Sequence, residues 1–510
     1  MKYRGKGLSF DPRKLLHFLT IIPQGVMEQS LLIELIRTLN QTEKDLIRQF
    51  AALPFFNQGK MKAYVPGLLN ICLSHHYHDP QIILDKKTVF SSIFPNQEFV
   101  DGKLEKTMVE AHKVVRTVLL VQQYLHDEND FQLNFDYAKI LRAKRLDIRY
   151  QLLLAKLQKL QEETEIKDSD YLHQQYILEY SIHDHVSLHN QKKGDLNVLN
   201  TLEALELYSH LNRLALSNRF LLQEKIVRME VSDEKRHLFE DTSVPEKYLE
   251  AYPTLKVNHA IFQLLKKALP VHSDIHYLFQ LLQIHEKNLD HESLQEFYTY
   301  LRNICILVLS SNSENIELEK MLHDLYKDNL ERGYLHNEGK LVSSRYWAVS
   351  SNALRVKEFD WALEFIEKYK YDLIGENESH DIYRLNVANY LFYLGRFSEC
   401  LDCIPATSPY VDYLLTGKRL ELKAYYELKS DLFSFKLEAF KVFLSRTSPK
   451  LLSEAQKQSH LEFVNLLLQL HLSLPGDQKR AEKVISRVQE RKQAGEWRWL
   501  LEKAKALKQK

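Results

Sequence analysis

Cys72, His75 and His76 stand at i, i+3 and i+4. On a helix that spacing gathers a thiolate and two imidazoles on one face, the donor chemistry of zinc. A zinc site also needs a fourth ligand and supporting hydrogen bonds. His78 and Asp79 follow, yet HHYHDP describes an exposed helix end stopped by Pro80 equally well, and no metal ligand is assigned. Cys400 and Cys403 form a Cys-x-x-Cys pair without the second pair or the thioredoxin-like βαβ pattern that zinc or redox work requires. The 22 histidines are densest in SIHDHVSLH, residues 181–189. Glu234-x-x-His237 is one Glu-x-x-His pair where a helix-bundle di-iron site needs two and further carboxylates. His285-Glu286 and His291-Glu292 begin a His-Glu-x-x-His motif and do not complete it. Gly59-Lys60, Gly339-Lys340 and Gly417-Lys418 lack the remaining residues of a P-loop. No Gly-x-Ser-x-Gly elbow occurs. The expectation is therefore no catalytic residue, no cofactor and no enzyme, with an unrecognised metal-dependent enzyme using the histidines kept as a second alternative.

The elements that would position any site are helices. Among 510 residues there are 14 Gly and 13 Pro, too few for the corners of a large sheet, so composition points to an all-α fold. Residues 1–130 read as an N-terminal helical region. Thr42 is expected to cap a helix with Asp45 three residues on, and Asp101-Gly102 leads into a long amphipathic helix carrying Val114 and Val118. Residues 131–253 read as a long-helix middle region, with helices expected over Ala138–Leu160 and Val198–Lys225. Periodicity lapses between Val231 and Pro253. From residue 254 helices follow one another with short joints. Asn258 is expected as a cap, Ser273 or Asp274 as the next, and Asp290 as the opener of a helix through Leu294 and Val308. Gly333, Gly375 and Gly395 sit where helices should end, Ser448-Pro449 reads as an N-cap with proline at the first helical position, and Pro475-Gly476 closes the helix it opens. No Asn-Gly or Asp-Gly hairpin signal occurs in this half.

Charge and compartment narrow the function classes. The chain carries 69 Lys+Arg and 68 Asp+Glu, so no net field draws it to nucleic acid or membrane. Two helices are locally basic: 139–159, and 479–510 with eleven Lys/Arg against four Glu. They support nucleic-acid binding as an alternative function, since such helices grip phosphates. The same residues also complement a terminal helix dipole and solubilise a capping helix, whose apolar side would carry Trp497, Trp499 and Leu500. Four cysteines make no disulfide framework, residues 15–22 are too interrupted for a signal peptide, and ICILVL at 304–309 is too short to span a bilayer. A cytoplasmic protein without membrane attachment is expected.

The C-terminal half repeats itself. Placing Ala362 over Cys400 aligns Val349, Ser350, Phe359, Ala362 and Ile366 with Val387, Ala388, Phe397, Cys400 and Ile404, a period of 38 residues. Small residues on both helices allow close approach, and Phe359 and Phe397 fill the turn. The pattern, clearest in ANYLFYLGRFSECLDCI (388–404) with Gly395 at the turn, resembles the tetratricopeptide repeat. Lys357 takes the glycine position of the earlier copy, and Tyr346 and Arg384 take the tryptophan position. The resemblance implies an α-solenoid of antiparallel helix pairs over 254–510 and a non-enzymatic scaffold or adaptor. A peptide or partner helix would lie in its groove against Trp347, Ser351, Leu354, Leu385, Asn386, Asn389 and Phe392. Asn386 and Asn389 resemble asparagines that some members use to clamp a C-terminal carboxylate, though Leu385 stands where that clamp wants lysine. Separately, TEKDLIRQFAALPFFN and FSSIFPNQEFVDGKL look like segments of a group of bacterial helical proteins of about this length, which implies no activity.

Overall fold

A computed structural model describes Met27 and residues 30–75, 84–124, 130–189, 194, 196–227, 233–240, 243–311, 315–337, 339–374, 376–408, 410–448, 451–452, 454–473, 476–490 and 496–509. It is all-α: among these residues the only strands are two of two residues each. His76, His78 and Asp79 of the candidate metal cluster, Gly375, Pro449, Pro475 and the N-terminal residues through 26 lie outside them. The chain divides into two compact units, 1–160 and 161–510; the breaks read from sequence near 130 and 253 fall inside them.

The first unit comprises α1 (Leu31–Thr38), α2 (Gln41–Ala51), α3 (Val65–Ser74), α4 (Lys86–Ile93), α5 (Asp101–Tyr124), α6 (Phe131–Ala143) and the start of α7 (Asp147–Glu163). The long α5 packs against each of α1 to α4, burying Val114 and Val118 in a core with Ile33, Leu68 and Phe90. The cap of α2 is Asn40, not Thr42: Asn40 accepts from the Glu43 N–H at 3.0 Å while its own N–H donates to the Glu43 carboxylate at 2.8 Å. Glutamate reaches back across a turn where the shorter Asp45 does not. The single helix expected over Ala138–Leu160 is two, because Arg145 takes a left-handed φ of 57° and ends α6.

The second unit continues with α8 (Ser169–His189), α9 (Val198–Val227), α10 (Asp233–Glu240), α11 (Glu246–Ala251), α12 (Pro253–Lys266), α13 (His272–His285), α14 (His291–Ser311) and α15 (Ile316–Glu331). Then come α16 (Ser343–Arg355), α17 (Phe359–Tyr369), α18 (Glu376–Tyr393), α19 (Phe397–Cys403), α20 (Val411–Glu427), α21 (Phe433–Arg446), α22 (Glu454–His471), α23 (Gln478–Glu490) and α24 (Trp497–Gln509). Asn258 does not cap α12; it is buried within it, accepting from Asn218 on α9 at 2.9 Å through its carbonyl. Asp290 opens α14 as expected, its carboxylate accepting from the Ser293 N–H at 2.8 Å, and Leu294, Leu301, Ile304 and Val308 are buried. A hairpin the sequence did not signal, β1 (His336–Asn337) with β2 (Lys340–Leu341), turns at Gly339 with φ 78°. The glycine is one residue removed from Asn337, so neither hairpin dipeptide occurs.

From α12 onward every helix touches the next, and α16 touches α18, α18 touches α20 and α22 touches α24. Three of the joints, α16 to α17, α18 to α19 and α20 to α21, share one geometry. Lys357, Gly395 and Lys429 take φ of 67°, 75° and 51°. The next residue's N–H bonds back five residues, Glu358 to Ala353, Arg396 to Leu391 and Ser430 to Tyr425, each near 3.0 Å. This is the Schellman ending of a helix.

Candidate functional site

The helices α14, α15, α16, α18 and α20 and the first turns of α24 frame a cavity of about 850 Å³. Their polar residues build it as follows. Arg419 and Lys423 stand four apart on α20, hence on one face of the helix. Lys423 is only 5% exposed and meets the Glu496 carboxylate at 2.8 Å. Arg419 approaches the same carboxylate at 3.8 Å. Glu496 itself has a φ of 60°, a conformation that costs a residue with a Cβ about 1–2 kcal/mol and that turns the chain into α24.

Two residues further on, the Arg498 guanidinium reaches across the cavity. It bonds the Glu319 carboxylate on α15 and donates to the Leu309 carbonyl at the end of α14 at 2.7 Å. Glu319 is buried and also faces Arg355 at 3.8 Å. Trp499 donates its indole N–H to Glu427 at 3.1 Å, and Lys503 binds that carboxylate at 2.6 Å. Aromatic rings complete the walls: the Lys423 ammonium lies 4.5 Å from the Phe392 ring centre and 5.7 Å from that of Trp499.

These contacts shift the titrations in opposed ways. Burial by itself raises the Glu496 carboxyl, but the Lys423 and Arg419 charges outweigh it and hold it down to about 2. His460, buried on α22 beside the cluster, is pushed down to about 4 by burial and then by the Arg419 charge. It is neutral at pH 7. Burial likewise pushes the Cys400 thiol up to about 12, and Cys403 also upward, so this pair is protonated and poorly nucleophilic.

Of the seven residues expected to line a groove, Leu354 and Phe392 line this cavity. The others pack between helices. Ser351 accepts from Asn389 at 3.3 Å, and Asn386 accepts from Ser350 and donates to the Ile382 carbonyl at 2.8 Å, forming polar rungs between α16 and α18. Leu385 is buried, and Trp347 is half-buried against the core. The histidines are dispersed: His323 is buried edge-on to Trp361 at 4.9 Å, and His183 contacts the Leu196 carbonyl at 2.6 Å. Among the described residues no group of three or more His, Cys, Asp or Glu could hold a metal ion. None of their helices is long and apolar enough to cross a membrane.

Sequence reasoning missed Glu319, Arg355, Arg419, Lys423, Glu496 and Arg498. The legible signals were the i, i+4 pair Arg419 and Lys423, and the acidic residue directly before Trp497-Arg498-Trp499; their joining to Glu319, 179 residues before Arg498, had none. No known protein family, curated protein or solved structure matches the chain.

Proposed function

We propose that the chain is a non-enzymatic protein-interaction scaffold whose helix pairs from α12 to α24 stack as a tetratricopeptide-like solenoid, with the cavity receiving a peptide or partner helix. Contacts between alternate helices (α16 with α18, α18 with α20) and the repeated Schellman joints support the stacking. The observation that carries the function is that the chain's own segment 496–503 is already held there as a peptide ligand is held. A carboxylate meets Lys423, a guanidinium meets Glu319, and an indole N–H and an ammonium share Glu427, between aromatic walls.

The test is selection of a displayed random-peptide library on the full chain. Enriched peptides should bind the purified protein and lose affinity by roughly tenfold in Lys357→Glu, a change at an exposed residue lining the cavity. If no peptide is enriched, or if the enriched peptides are indifferent to Lys357→Glu and to Phe392→Ala alike, the scaffold reading fails.

A further inference from the structure

We propose that Glu496 stands in for a partner's carboxylate: Arg419 and Lys423 form a socket for an acidic side chain on a partner helix, and the head of α24 keeps that socket closed until such a helix displaces it. The proposal deepens the scaffold reading and rests on it.

Three features of the segment carry it. Among the described residues, Glu496 is the carboxylate that both Lys423 and Arg419 face. A buried ammonium left without it is strongly destabilised, so an opened socket demands another anion. The head is also separable from the body of its helix. Leu500, Leu501 and Ala504 are buried in the core of α20 to α23, whereas Glu496 and Arg498 are half-exposed and Trp497 packs only partly buried at its edge. The first turn can therefore fray while the rest stays anchored. Glu496 has a left-handed φ in the bound position, and release removes that strain. Finally, the contacts specify the competitor. Trp499 and Lys503 lie four apart on α24 and both meet Glu427, while Glu496, just before the helix, meets Lys423. With Trp499 and Lys503 still anchored on Glu427, the opened socket takes a helix of another protein that presents an acidic residue to Lys423 and Arg419.

The experiment uses the full chain and, as probe, a labelled synthetic peptide of residues 494–510, followed by fluorescence anisotropy. Weak binding is expected to the unaltered chain. Binding should tighten roughly tenfold in Glu496→Gln, and comparably in Arg498→Ala, which opens the head without touching the socket. Lys423→Glu should abolish the gain in either background, and the probe carrying Glu496→Gln should bind no better than a scrambled peptide. Far-UV circular dichroism checks each variant's fold; should Glu496→Gln unfold, Arg498→Ala carries the test. Equal affinity across all variants, or equal binding by the two probes, overturns the proposal. Self-association of Arg498→Ala through exchanged α24 heads overturns it too, since the occupant is then a second copy. Library peptides that bind the chain yet ignore Lys423→Glu and Glu496→Gln sink this inference and leave the scaffold reading standing.

Discussion

Lys423 has almost no water at its ammonium, and what replaces the water is one carboxylate and two aromatic rings. The same cluster sets how the second unit answers acid. His460 has its folded pKa lowered to about 4, below the ordinary value of 6.5. The unfolded chain therefore binds its proton first, and the stabilisation is fully present above pH 6.5 and is lost as pH falls toward 4. Glu496, lowered from 4.5 to about 2, contributes above pH 4.5 and is lost between there and 2. The two windows adjoin. All four tryptophans, at 347, 361, 497 and 499, lie in the second unit, so indole emission reports on it alone. Between pH 7 and pH 5 the unfolding free energy followed by that emission should drop by about 2 kcal/mol from His460. In His460→Gln the urea midpoint at pH 5 should lie correspondingly nearer its pH 7 value. A pH dependence identical in the variant and the unaltered chain refutes the assignment of this window to His460. Burial lowers His323 as well, so a residual slope is expected in the variant.

At the level of elements the joints were half legible. Gly395 announced itself because a residue without Cβ takes φ near +75° freely. Lys357 and Lys429 adopt the same left-handed turn without the residue type that advertises it. Both stay there because the surrounding hydrogen bonds, Glu358 to Ala353 and Ser430 to Tyr425, over-determine the backbone. A Cβ built at Gly395 meets nothing within 4 Å, so Gly395→Ala isolates the backbone cost and should destabilise by about 1 kcal/mol. Lys357→Gly should move the other way by up to about 1 kcal/mol, less the entropy that glycine adds to the unfolded chain. Thermal unfolding of the two variants checks both signs, and a destabilised Lys357→Gly contradicts the argument. The other misreadings share this origin. Asn258 and Thr42 are of cap-forming type, but Asn258 is used inside a helix to bond Asn218, and Thr42 follows a better-placed asparagine. Local residue type states what a side chain can do; distant partners decide which option is used.

Across the whole molecule, the helix class and the order of α12 to α24 could be read from spacing because each depends on neighbours in sequence. The cavity could not, since it is closed by Arg498 meeting residues 179 and 189 positions earlier. That closure also links cores. Trp499 packs against both the core running from α8 to α20 and the one formed by α20 to α24. Arg498 bridges α24 to both α14 and α15. Removing it leaves Glu319 with Arg355 at 3.8 Å and the Leu309 carbonyl without its guanidinium. Neither core loses an apolar side chain. Arg498→Ala should therefore raise amide hydrogen exchange in a confined pattern, at the first turn of α24 and around the α14 end and α15 start, by roughly tenfold if the clasp contributes about 1.4 kcal/mol to local closure. The α22 and α23 amides, and the Leu68 and Phe90 core of the first unit, should exchange unchanged. Exchange that rises uniformly across the second unit shows Arg498 holding up the fold as a whole rather than closing one cavity; exchange that rises nowhere shows that the clasp contributes nothing.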